Sequence, residues 1–176
     1  PAGYLQTKYD SDLFGLRVDG LVGVRAEQIK RELNAYSFDA STGIYSAITR
    51  ETKDTNTLPN ASLNLHFNEE WQLRVLAAKT LSYPDFGALN PSISLNPGTV
   101  NRAGPASSGN PDLRPIESTN YDMSLEWYFS PVGYMSAGIF YRDIDGYIQN
   151  YITNVVIAGE DYELSSPQSA GSGHLQ

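Results

Sequence analysis

The sequence predicts an all-β chain, an antiparallel up-and-down meander, and three observations carry that prediction. Apolar and polar residues alternate through most strand-length segments, the period at which successive side chains of an extended chain point to opposite faces. No segment keeps the roughly 3.6-residue period of a helix over a useful length. The connections alternate between tight and long, so one end of the sheet carries turns and the other carries loops.

Strands are predicted at 2–9, 15–30, 43–67, 71–82, 114–129 and 134–149, with a further one at 151–157. In the second, Leu16, Val18, Gly20, Val22 and Val24 share one face against Arg17, Asp19, Gly23 and Arg25, with Leu21 out of phase. In the third, Ala61, Leu63, Leu65 and Phe67 oppose Ser62, Asn64 and His66. The fourth sets Trp71, Leu73, Val75 and Ala77 against Gln72, Arg74 and Ala78, with Leu76 on the polar side. Regularity is greatest in "TNYDMSLEWYFSP", where Thr119, Tyr121, Met123, Leu125, Trp127 and Phe129 alternate with Asn120, Asp122, Ser124, Glu126 and Tyr128.

Between these strands, 10–14 and 68–70 are short, 31–42 is longer, 83–113 is very long, and 130–133 is tight. Hairpins are therefore expected around Asn68–Glu70 and Ser130–Gly133. Tight turns at one end and long loops at the other are the asymmetry of an outer-membrane barrel. The aromatic residues agree with it. Phe67 and Trp71 flank one tight turn, and Trp127, Phe129 and Tyr134 flank the other, as in the rings that mark the rim of an apolar membrane band. The apolar faces, with Leu63, Leu65, Leu73, Val75, Tyr121, Met123, Leu125 and Trp127, are then expected to meet lipid. Asn64, Arg74, Asp122, Ser124 and Glu126 are expected to face a watery lumen.

Composition narrows the function. Twelve Lys and Arg against twenty Asp and Glu leave a formal charge of -8, which argues against nucleic acid, because phosphate binding needs clustered cations. No apolar run approaches the roughly 18 residues of a spanning helix, and the absence of cysteine removes thiol chemistry and thiolate metal sites. An enzyme is not expected: adjacent Glu69 and Glu70 point to opposite sides of the chain, and Asp143 and Asp145 lack the later acidic ligand of a calcium loop. His66 and His174 have no ligand spacing around them, so neither a metal nor a cofactor is expected. The chemistry sits in the long loop 83–113, where Tyr83, Asp85, Asn90, Arg102, Asn110 and Asp112 are the candidate ligand-binding residues. They combine an aromatic platform with hydrogen-bonding and charged groups on the loop that a rigid scaffold would hold at its open end.

The segments "DLFGLRVDGLVGVRAE", "LPNASLNLHFNEEWQLRVLAAKTLSYPDF", "GNPDLRPIESTNYDMSLEWYF" and "AGIFYRDIDGYI" follow one another through most of residues 2–150. In that order and combination they resemble the TonB-dependent outer-membrane receptors, in particular the large proteobacterial branch of Caulobacter and Xanthomonas type. The resemblance implies a roughly 22-stranded transmembrane β-barrel closed by an N-terminal plug, in the outer membrane of a Gram-negative bacterium. It also implies partners: outer-membrane lipid, TonB engaged through an N-terminal region outside this chain, and a small-molecule ligand such as a siderophore or an oligosaccharide. Residues 1–176 then read as an internal part of the barrel domain, with about seven strands, below the roughly eight of the smallest single-chain bacterial barrels. The alternative is a soluble β-sandwich that binds carbohydrate through "YPDF" and neighbouring Tyr and Asn residues.

Overall fold

The computed structural model describes residues 1–39, 44–96, 98, 99 and 102–176. β1 (Ala2–Leu13) turns through Phe14 and Gly15 into β2 (Leu16–Asp39). Both turn residues have positive φ, 53° and 80°, the primed geometry whose twist matches paired antiparallel strands. β3 (Ile44–His66) runs back beside β2 and enters β4 (Trp71–Ser82) through the "NEE" turn. There the side-chain oxygen of Asn68 accepts the backbone N–H groups of Glu70 and Trp71 at 2.9 and 2.8 Å. This supplies locally the hydrogen bonds that the strands cannot.

After β4 the chain makes one helical turn, α1 (Phe86–Leu89), then β5 (Ile93–Leu95) and β6 (Gly104–Ser108). It returns as β7 (Ile116–Ser130), which pairs antiparallel with β8 (Gly133–Asp145) across the second tight turn. β9 (Ile148–Ile157), β10 (Glu160–Ser169) and β11 (Ser172–Leu175) complete the chain. Seven strands form one sheet in the order β1-β2-β3-β4-β7-β8-β11, every neighbour antiparallel, and β5-β6-β10-β9 form a second. Both hairpins expected from the tight turns are present.

Several boundaries differ from the sequence expectation. Residues 10–13 continue β1, and the connection is only Phe14–Gly15. The segment 31–42, expected as a loop, is strand as far as Asp39, paired with β3 up to Asp39↔Ile44; residues 40–42 lie outside the described ones. Its polar residues occupy both faces, so it lacks the alternation that marks a half-buried strand, yet the backbone ladder continues. The predicted strand 134–149 breaks at Gly146 and Tyr147, where Gly146 takes φ 80°. Finally, the parallel pairing of β6 with β10 breaks the otherwise antiparallel pattern.

Register makes the two faces continuous. Leu65 pairs with Leu73 and Leu73 with Leu125, while Leu63, Val75, Met123 and Ile139 form the next row. Paired residues share a face, so the apolar rows run across four strands. That face is uncovered: Leu5 is 76 % exposed and Ile139 67 %. On the other face Arg74 reaches Glu126 at 3.6 Å, and Asp19 accepts from the amide of Asn64 and contacts His66. The fully buried side chains lie elsewhere, as Leu89 and Leu113 in the long connection.

Candidate functional site at the loop end

Strand length builds the site. β4 has 12 residues, close to the roughly 9–11 that cross a bilayer as a tilted strand, whereas β2 and β3 have 24 and 23. β3 pairs with β4 only as far as Asn60↔Ala78. Beyond that pair the β2–β3 hairpin stands as a tall wall, and a notch opens between it and the tops of β7 and β8. The β9–β10 hairpin, turned at Ala158 and Gly159, rises on the far side, and the connection from Tyr83 to Pro115 packs between the two.

Specific contacts hold this connection. Tyr83 donates its hydroxyl to Glu27 at 2.9 Å and accepts from the Asn56 amide at 2.7 Å, which fixes the loop's base to β2 and β3. Burial, followed by the carboxylate of Glu27, pushes the Tyr83 phenol up to about 12. Arg31, whose side chain is only 10 % exposed, donates to Asp54 at 2.7 Å and to the Leu113 carbonyl at 3.5 Å. At the other wall Asn110 donates to the Pro167 carbonyl, and the Arg114 backbone N–H donates to Ser169.

The six candidate residues do not converge on one point. Asn110 and Asp112 line a cavity of about 650 Å³ together with Asp54, Asn56, Arg114 and Asp145, and Tyr83 touches its edge through Asn56. Asn90 lines a neighbouring cavity of about 500 Å³ under β6 and β10. Arg102 sits at the far tip, where its backbone bridges Thr99. Asp85 caps α1 by accepting the Ala88 N–H at 2.7 Å, a structural task that occupies its carboxylate. Asp112 also contacts Arg50 at 3.4 Å.

The wall residues Asp54, Asn56, Gln168 and Ser169 escape the sequence reading, and Asp145 enters it only as a rejected calcium ligand, because they reach the loop only through pairing distant along the chain. One signal could have found the far wall. "NVVIAGEDYEL" places two turn residues between strand-like runs, the mark of a hairpin.

A family model described as TonB dependent receptor-like, beta-barrel matches residues 2–176. The chain belongs to that family of TonB-dependent receptors. No curated protein matches it. Solved TonB-dependent receptors share its fold at low identity. The hemophore receptor HasR of Serratia marcescens, solved with its hemophore HasA and heme, aligns over 98 % of this chain and 30 % of its own, with 12 % identity and a TM-score of 0.57. A ferric enterobactin receptor, PfeA of Pseudomonas aeruginosa, gives 98 % and 31 %, 12 % identity and 0.58. The siderophore receptor PirA of Acinetobacter baumannii gives 98 % and 32 %, 12 % identity and 0.56. The chain thus spans about a third of each receptor's length.

Proposed function

We propose that this chain is part of the barrel wall of an outer-membrane receptor that imports a scarce small molecule into a Gram-negative bacterium, with energy relayed by TonB, and that it performs no chemistry on its cargo. One observation carries the reading beyond family membership. The seven-stranded sheet leaves a continuous apolar face uncovered, with Met135 63 % and Val22 49 % exposed beside Ile139 and Leu5, and a bilayer is the solvent that such a face fits. A soluble sandwich would bury this face against a second sheet. The complete barrel, of about 22 strands around a plug, puts the polar face on the lumen. Loop 83–113 is then extracellular and contributes to ligand capture through Tyr83, Asn90, Arg102, Asn110 and Asp112, with Asp85 fixing α1.

Fractionation of cells that express the full-length protein tests the proposal. The protein should sediment with the outer membrane, migrate differently on gels before and after boiling, and lose its growth benefit when TonB is deleted. Recovery in the soluble fraction without detergent, or a growth benefit that survives loss of TonB, contradicts it.

A further inference from the structure

We infer that the ligand captured at this mouth is uncharged and polyhydroxylated, of oligosaccharide type, and that it sits in the cavity between α1, the β5–β6 pair and the β9–β10 hairpin. The inference rests on the receptor reading above and adds the ligand's chemical class. That cavity, about 500 Å³, is lined by Asn90, Ser92, Ser94, Ser107, Ser108 and Asn150 among others, and no charged residue lines it. Its volume falls within the roughly 300–1,000 Å³ of small-molecule sites. Ser94 and Ser107 are cross-strand partners, so their side chains share a face. Hydroxyl and amide groups both donate and accept, which matches sugar hydroxyls that do the same. An ion entering here would meet no counter-charge.

The adjoining cavity, reached past Gly109 and Pro167, is charge-balanced. Its carboxylates are Asp54, Asp112, Glu117 and Asp145. Three of them are neutralised by cations: Asp54 by Arg31 at 2.7 Å, Asp112 by Arg50 at 3.4 Å and Glu117 by Lys79 at 2.6 Å. This leaves Asp145 and Arg114, one charge of each sign, without an ion-pair partner among the described residues. At the hairpin tip, Arg102 shares its cavities with Glu160, Asp161 and Glu163, where the balance is negative. None of these cavities holds an excess of cations. An anionic ferric catecholate would need that excess for attraction and charge-assisted hydrogen bonds. The formal charge of -8 means that this part of the wall offers an anion no net attraction.

The test uses the full-length receptor in detergent, titrated by calorimetry with maltotriose, xylotriose and chitotriose as neutral probes and ferric enterobactin as the anionic probe, at low and high salt. At least one trisaccharide should bind with an affinity that salt leaves unchanged. Ser94→Ala combined with Ser107→Ala should weaken it about tenfold, the effect of losing one to two hydrogen bonds, while thermal unfolding stays as in the parent. Preferential, salt-sensitive binding of ferric enterobactin leaves the receptor reading intact and overturns the ligand class. Trisaccharide binding unaffected by the serine changes overturns the site. If no probe binds, the inference falls, and TonB-dependent growth decides separately whether the receptor reading falls with it.

Discussion

Trp71 and Trp127 stack as direct partners across β4 and β7, with ring centroids 5.3 Å apart and planes 9° from parallel. Phe129 leans on Trp127 at 5.3 Å, and the indole N–H of Trp127 donates to Glu70 at 3.3 Å. The rings belong to the apolar face, whereas the polar tip reaches the turn. This is how an aromatic side chain sits at a membrane boundary. A double-mutant cycle of Trp71→Ala and Trp127→Ala, read by bilayer-folding titration, should return a coupling of about 0.5–1.5 kcal/mol. Additive losses would show that the stack contributes nothing beyond the separate rings.

Arg31, held by Asp54 across the β2–β3 wall, ties the loop to that wall through the Leu113 carbonyl. Asp54→Ala leaves a guanidinium that is only 10 % exposed without its carboxylate, at a cost of about 1–3 kcal/mol because the vacated position is open to water. Because the loss is local, it should appear as faster hydrogen exchange and proteolysis within 83–115, with the seven-stranded sheet still protected. Arg31→Met combined with Asp54→Leu removes both charges and also the Leu113 contact, so it should restore the stability of the β2–β3 wall while loop protection stays reduced. Equal exchange in Asp54→Ala and parent would contradict the lock.

Tyr83 makes loop docking sensitive to alkali. Its folded pKa is raised to about 12 from an ordinary 10.0, so the folded state holds the proton more tightly than the unfolded one. The stabilisation is complete below the ordinary value and is lost as pH climbs through the folded one. Protection of the loop should fall across that interval, and Tyr83→Phe should remove this alkaline phase while weakening docking at neutral pH. An identical alkaline profile in the variant would assign the transition to another group.

Deleting 103–109 removes β6 and its bridge to β10 but leaves every β4–β7 pair from Trp71↔Trp127 to Ser82↔Ile116. Folding into bilayers should match the parent, whereas growth that depends on the imported nutrient should decline. Normal growth would make the segment a cap with no part in capture.

The sequence exposed the fold where one face is apolar and hid it where neither is. Met123, Leu125 and Trp127 alternate with Asp122, Ser124 and Glu126, and both hairpins followed from their tight turns. Above the apolar band that contrast disappears. Lys30, Arg31, Glu32 and Asn34 place polar groups on both faces, so the upper part of β2 looked like a loop, whereas its partner in β3 fell within the predicted strand 43–67. β10 and β11 were missed for a related reason: "SSPQSAGSG" has turn-like composition, and its strand state depends on pairing with β9 and β8. The candidate site was legible as a loop but not as cavities, since Asp54, Asp145 and Gln168 meet Asn110 and Asp112 only through tertiary packing.

The most direct test of the account compares two neighbouring residues on opposite faces of β7. Met123 lies in the apolar row with Val75 and Ile139, and Ser124 lies in the polar row with Arg74. In the full-length protein, bilayer-folding titrations of Met123→Arg and Ser124→Arg measure what each face contacts. The account predicts a loss of about 2–4 kcal/mol for Met123→Arg, as for an arginine facing lipid near the midplane, with a clearly smaller loss for Ser124→Arg. Equal losses, or a larger one at Ser124, would contradict the assignment of the apolar face to lipid.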